Sequence, residues 1–91
     1  MDPAAFRAQL TAEAYDPIVE RTLPPGQAVP EHSHDWDAHG LVLAGRFSVT
    51  MADGSAQGGD AGARFVVPAG ARHTEASGPE GATILVGRRR A

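Results

Sequence analysis

The sequence predicts an all-β domain, a sandwich or closed barrel carrying one short N-terminal helix, and three observations support it. Short apolar runs are punctuated throughout by eleven glycines and seven prolines, the pattern of a many-turned β protein. Residues 46–51 alternate cleanly, with Phe47, Val49 and Met51 on one face and Arg46, Ser48 and Thr50 on the other, as a half-buried antiparallel strand requires. Only one stretch, near the N-terminus, reads as a helix, so seven or eight closely spaced short strands are expected in place of an α/β alternation.

In chain order, Asp2 is a natural N-cap, Pro3 suits the first helical position, and AAFRAQLTAEA supplies good helix formers. Phe6 and Leu10 lie four apart and form a small apolar stripe. Asp16-Pro17 closes this 1–16 segment, and the β domain is expected over 18–87 of a single 91-residue unit. Ile18–Leu23 reads as a strand, and Pro24-Pro25-Gly26 turns the chain into a second, histidine-bearing one. A third strand runs from about Asp37 to Ala44, is broken by Gly45 and resumes at Arg46. In its first piece Leu41 and Leu43 occupy one face and Val42 the other, so both need cover, from the helix or, preferably, from a second subunit. Asp53-Gly54 marks a hairpin. Gly58 to Gly62 reads as a bend, Arg64–Val67 as a strand, His73–Ser77 as another, Gly78-Pro79-Glu80-Gly81 as a turn and Ala82–Val86 as the last strand. Phe47, Val49, Met51, Phe65, Val67, Ile84 and Val86 are the expected core.

Composition narrows the chemistry. There is no cysteine and no lysine, which excludes disulfides, thiolate sites and Schiff bases. A net charge of −3, with Arg88-Arg89-Arg90 as the sole basic cluster, argues against general nucleic-acid binding, and the triplet reads as a solvated tail. No apolar run approaches the ~20 residues of a membrane span, so a cytoplasmic protein is the default. At 91 residues a homodimer is expected, because a second copy enlarges the buried fraction.

All four histidines fall in two stretches, residues 26–45 and 62–77. In an extended strand His32 and His34 project to the same side. Two such imidazoles can grip a metal ion when a third donor arrives from elsewhere, and His73 is the candidate.

These residues also carry a family resemblance. Gly26, His32, His34 and Gly45 fit the first motif of the cupins, and Gly62, Pro68, Gly70 and His73 fit the second, with Ser77 in its Asn place. The chain thus resembles a small cupin from about Pro24 to Val86, which implies a double-stranded β-helix, or jelly-roll barrel. The family fold carries enzymes, storage proteins and sensors alike. One departure matters: where the first motif has a metal-binding Glu, this sequence has Ala38. Asp37 and His39 flank the vacancy but alternate to the opposite face, whence only a bulge would bring one inward. Glu75 is better placed, since His73, Glu75 and Ser77 share one strand face. Arg72 and Arg64 are its candidate charge partners, and Trp36 either lines the barrel mouth, where it would stack on a ligand, or simply anchors its loop.

The resemblance implies a divalent transition metal (Fe, Ni, Zn, Cu, Co or Mn) held by His32, His34 and His73, with Glu75 or His39 moving a proton and water, Glu75, Asp37 or His39 as fourth ligand. Similar three-histidine iron cupins oxidise small molecules, so binding or dioxygenase-like oxidation of a small organic ligand is expected. A non-catalytic ligand or metal sensor, or a metal-free structural cupin, is the alternative.

Overall fold

A computed structural model describes residues 1–90. Asp2 caps helix α1 (Pro3–Ala12), its carboxylate accepting the Ala5 N–H at 3.0 Å, with Pro3 in the first turn. The helix stops at Glu13, whose N–H bonds the Gln9 carbonyl, well before Asp16-Pro17.

Six strands follow: β1 (Ile18–Leu23), β2 (Ala28–His32), β3 (Trp36–Met51), β4 (Ala56–Asp60), β5 (Arg64–Val67) and β6 (His73–Arg90). Every pairing is antiparallel. The two long strands, β3 and β6, run side by side from Trp36 opposite Arg90 to Met51 opposite His73. Each end of this pair has its own outer partners. β1 and β5 flank residues 82–87 of β6 and 38–41 of β3, whereas β2 joins residues 73–76 and β4 joins 46–50. One apolar core unites Phe47 and Val49 from one end with Phe65, Val67, Ile84 and Val86 from the other, so the sheet is folded over onto itself. This is the jelly-roll barrel expected from the sequence, with Met51 only partly buried at its margin.

Five expectations need correction, and each failed for a long-range reason. Gly45 does not end a strand, and Gly78 to Gly81 do not turn the chain. Ser77 pairs with Phe47 and Ala82 with Gly45, so the four residues Gly78, Pro79, Glu80 and Gly81 sit opposite Arg46 alone while β6 keeps its direction. This is an extended bulge, where the long strands bend from one half of the barrel to the other. Gly45, at φ 71°, is required there, because a Cβ on it would lie 2.1 Å from the Gly81 carbonyl oxygen. Gly58 and Gly59 likewise belong to β4, paired with Ser48 and Phe47, and do not form a bend.

The arginine triplet is not a tail. Arg88, Arg89 and Arg90 pair with Ala38, Asp37 and Trp36, and side chains lock the ladder: Arg89 reaches Asp37 and Arg90 reaches Asp35, both at 3.5 Å. Finally, Leu41 is covered by the chain itself. Phe6, Leu10 and Tyr15 bury Leu41 and Leu85 in a second core outside the barrel, with Leu43 and Ile18 packed against it. The apolar outer face that suggested a second subunit is therefore the seat of α1. Among the described residues no helix is long and apolar enough to cross a membrane.

Candidate metal centre

Two loop contacts bring the histidine stretches together. The Gly70 N–H donates to the His34 carbonyl at 2.7 Å, and the Ala69 N–H donates to the Asp37 carboxylate at 2.9 Å. Together they tie the Pro-x-Gly loop before β6 to the His-x-His loop before β3. Within the sheet, His32 pairs directly with His73 across β2 and β6. Ser77 fixes the neighbouring turn, accepting the Gln27 N–H at 2.9 Å and donating to the Pro24 carbonyl at 2.6 Å.

The result is a cluster of His32, His34, His73 and Glu75, one ligand atom from each, all within 4.8 Å of one another. His73 and Glu75 are buried, at 1% and 8% exposure, while His32 and His34 are half-buried toward the mouth. Hydrogen bonding settles which nitrogens face inward. The Nδ1 of His32 lies 2.8 Å from the Pro30 carbonyl and that of His73 lies 2.9 Å from the Ala71 carbonyl. A carbonyl only accepts, so both Nδ1 atoms carry a proton, and in the neutral imidazoles both Nε2 atoms present lone pairs. Those Nε2 atoms stand 3.2 and 3.3 Å from one oxygen of Glu75. His34 Nδ1, His73 Nε2 and Glu75 Oε1 are buried with no hydrogen-bond partner. Electron-rich atoms converging in a buried place need a positive centre between them. A divalent transition metal meets that need, and imidazole-rich sets with one carboxylate suit such ions. Burial, reinforced by the charges His32 and His73 would carry, holds His34 below its ordinary histidine range, in the neutral form a ligand needs.

Above the cluster is a cavity of about 40 Å³, bounded by Trp36, Ala38, Phe65, Val67 and Arg88 among others. The Trp36 ring stacks on His34 at 4.6 Å and an interplanar angle of 17°, the mouth position foreseen for it. Ala38 faces this cavity. Gly40, two residues on, does not leave a void, because the Phe65 ring occupies the place where its side chain would be.

The other candidates lie elsewhere. Asp37 binds the Ala69 N–H and Arg89, capping the loop. His39 is on the far face of β3, under the helix, edge-on to Phe6 at 5.0 Å and to Tyr15 at 5.9 Å. No bulge turns either inward, so the proton-moving role expected of His39 has no geometric support. Arg72 pairs with Glu31, and the cation beside Glu75 is Arg21, at 3.8 Å. Sequence held a clue to Arg21 that went unread: Val19, Arg21 and Leu23 alternate onto one face of β1, and Val19 and Leu23 pack in the core.

The half-buried position of His39 has a measurable consequence. Burial holds it below its usual value of 6.5, with Glu13 partly opposing and Arg64 and Arg89 assisting. The folded state thus binds fewer protons than the unfolded one, so stability is intact above about 6.5 and lost as pH falls through the lowered folded value. His39→Phe, which keeps an aromatic edge against Phe6, should flatten the fall in Tm between about pH 7.5 and pH 5. An unaltered slope would assign the acid sensitivity to the barrel histidines instead.

The chain belongs to the cupin family: a family model described as Cupin domain matches residues 19–86. Solved structures agree. A protein of unknown function from Rhizobium leguminosarum bv. viciae 3841 is 28% identical over 81% of this chain and 69% of that one, with a TM-score of 0.74. An RmlC-like cupin from Shewanella frigidimarina NCIMB 400 is 26% identical over 81% of this chain, with a TM-score of 0.69, and this chain spans only 65% of its length. KdgF from a Halomonas species is 25% identical over 81% and 69% of the two chains, with a TM-score of 0.66. No curated protein matches the sequence.

Proposed function

We propose that this chain is a metal-dependent cupin that takes a small organic molecule into the barrel mouth and oxidises it, with His32, His34, His73 and Glu75 holding one divalent transition metal. The observation that carries the reading is the convergence of two imidazole Nε2 lone pairs on a single carboxylate oxygen, at 3.2 and 3.3 Å, in a buried site. Glu75 thus stands in for the glutamate replaced by Ala38, from a different strand. When bound, the metal supplies Lewis acidity toward a chelating ligand and, if redox-active, electrons for the reduction of dioxygen.

The chain's own residues do the rest. Pro30 and Ala71 carbonyls fix the tautomers of His32 and His73, as outer partners of metal-binding imidazoles do. Trp36, stacked on His34, supplies a flat apolar surface at the mouth. Phe65, Val67, Ile84 and Val86 wall the interior with apolar side chains. Glu75 Oε1, buried and without a hydrogen-bond donor, with Arg21 at 3.8 Å, is the atom placed to accept a proton from a bound ligand.

The test is elemental analysis of untagged protein, followed by oxygen consumption over a panel of thiols, diketones and phenolics. One transition metal per chain, lost in His32→Ala and His73→Ala, and oxygen uptake with one substrate class are expected. Metal-free protein that stays folded and refuses added metal would sink the metal centre. Ligand-dependent melting without turnover would instead make the protein a sensor.

A further inference from the structure

We infer that Arg88, set opposite Ala38, is the seat for the carboxylate of a small 2-oxo or 2-hydroxy acid entering the barrel mouth. This inference rests on the metal-centre reading and names the ligand class that the centre serves.

Along β6, Ile84, Val86 and Arg88 alternate onto the inward face, and the first two are core residues. Arg88 is therefore an inward-facing guanidinium bordering the cavity above the histidine cluster. Its backbone is pinned on both sides, the carbonyl accepting from the Asp16 N–H at 2.7 Å and the N–H donating to the Pro17 carbonyl at 3.0 Å. The guanidinium lies 4.9 Å above the Trp36 ring and is half-buried. The arginines around it already have carboxylates: Arg21 has Glu75, Arg89 has Asp37 and Arg90 has Asp35. Among the described residues no carboxylate lies within ion-pair distance of Arg88.

Ala38 is the cause. It pairs with Arg88 across β3 and β6, and facing residues on neighbouring strands hold their Cβ atoms about 4.5–5.5 Å apart. An acidic side chain at position 38 would stand beside the guanidinium and neutralise it. With alanine there the charge is open to the cavity. A half-buried guanidinium without a counter-ion is a site for an anion, and its planar fork matches a carboxylate. The cavity of about 40 Å³ has room for about three water-sized groups. That admits a carboxylate and its neighbouring carbon, while the rest of the ligand extends past Trp36. An oxygen on that carbon gives the metal a donor, which selects 2-oxo and 2-hydroxy acids among carboxylates.

Trp36 is the only tryptophan, so its fluorescence reports on the mouth directly. Zn²⁺-loaded protein should change emission saturably with pyruvate or glycolate, and pyruvamide should bind at least about tenfold more weakly. Arg88→Gln should weaken pyruvate about ten- to a hundredfold with Zn²⁺ affinity unchanged, and Arg88→Lys should recover part of the loss as a charge without the fork. Ala38→Glu should block pyruvate while still binding Zn²⁺. Equal pyruvate affinity in Arg88→Gln, or no saturable response to either acid in loaded protein, would overturn the inference and leave the metal centre standing. If Zn²⁺ does not bind, the metal centre fails. The same titration on metal-free protein then decides the seat: Arg88-dependent binding keeps it, and no binding removes it.

Discussion

Glu75→Gln should leave the metal-free barrel at least as stable as the natural sequence while removing most of the stability that a bound metal adds. The sign follows from the tautomers. In the neutral imidazoles both Nε2 atoms beside Glu75 are acceptors, because their Nδ1 partners donate to the Pro30 and Ala71 carbonyls. A carboxylate at 3.2 and 3.3 Å from them adds a third acceptor, and Arg21, 3.8 Å away and itself 44% exposed, offsets little of that. Leaving such a buried group unsatisfied costs about 1–3 kcal/mol. A glutamine amide has the carboxylate's shape and carries N–H donors for the imidazoles, so in metal-free protein it relieves the repulsion among acceptors. With metal present the order reverses, because the amide lacks the charge that a divalent ion needs. A ligand at about a thousand times its Kd adds about 4 kcal/mol, and in a domain of this size each kcal/mol moves Tm by about 4–8 °C. Thermal melts of both proteins with Zn²⁺ and with chelator measure the two effects in one experiment. A variant much less stable than the natural chain under chelator would mean that Glu75 is satisfied without metal. An undiminished Zn²⁺ shift would remove Glu75 from the ligand set.

The candidate site was legible in the sequence to a greater extent than the strands that hold it. The spacing of His32, His34 and His73 reflects a local constraint, since each motif must place an imidazole at a fixed distance from a glycine or proline turn. Strand alternation from His73 then identified Glu75, and the register of β2 on β6 brings both beside His32. What the sequence hid depends on pairing between distant segments. Glycine and proline mark a bulge as readily as a turn, and only the partner strand shows that Gly78 to Gly81 face Arg46 without reversing direction. The arginine triplet resembled a tail because a run of one charge does not alternate in polarity, although Asp35 and Asp37 were spaced to meet Arg90 and Arg89. Phe6 and Leu10 needed a surface and Leu41 needed cover, yet nothing local says that they satisfy each other.

That mutual cover makes Phe6→Ala one of the most damaging single changes expected outside the cluster. Phe6 and Leu10 are fully buried, and with Tyr15 they are all that α1 and the segment after it contribute to the outer core over Leu41 and Leu85. Truncating a buried phenylalanine to alanine costs about 3–5 kcal/mol, a large share of the ~5–15 kcal/mol that holds a domain together. The ring also supports His39, whose edge-on contact at 5.0 Å would go with it. Metal affinity should survive the loss. The histidine cluster lies inside the barrel, built from β2, β6 and the loop before β3, whereas the outer core lies on the opposite face of the β3–β6 pair. Distant sites without shared partners contribute additively, so Zn²⁺ should raise the melting temperature of Phe6→Ala by as much as it raises that of the natural chain. A smaller rise, with the variant still folded, would show that the helix reaches the centre through Leu41 and Val42, neighbours on β3 that belong to the two different cores. The helix would then be part of the site's scaffold as well as a cover for the sheet.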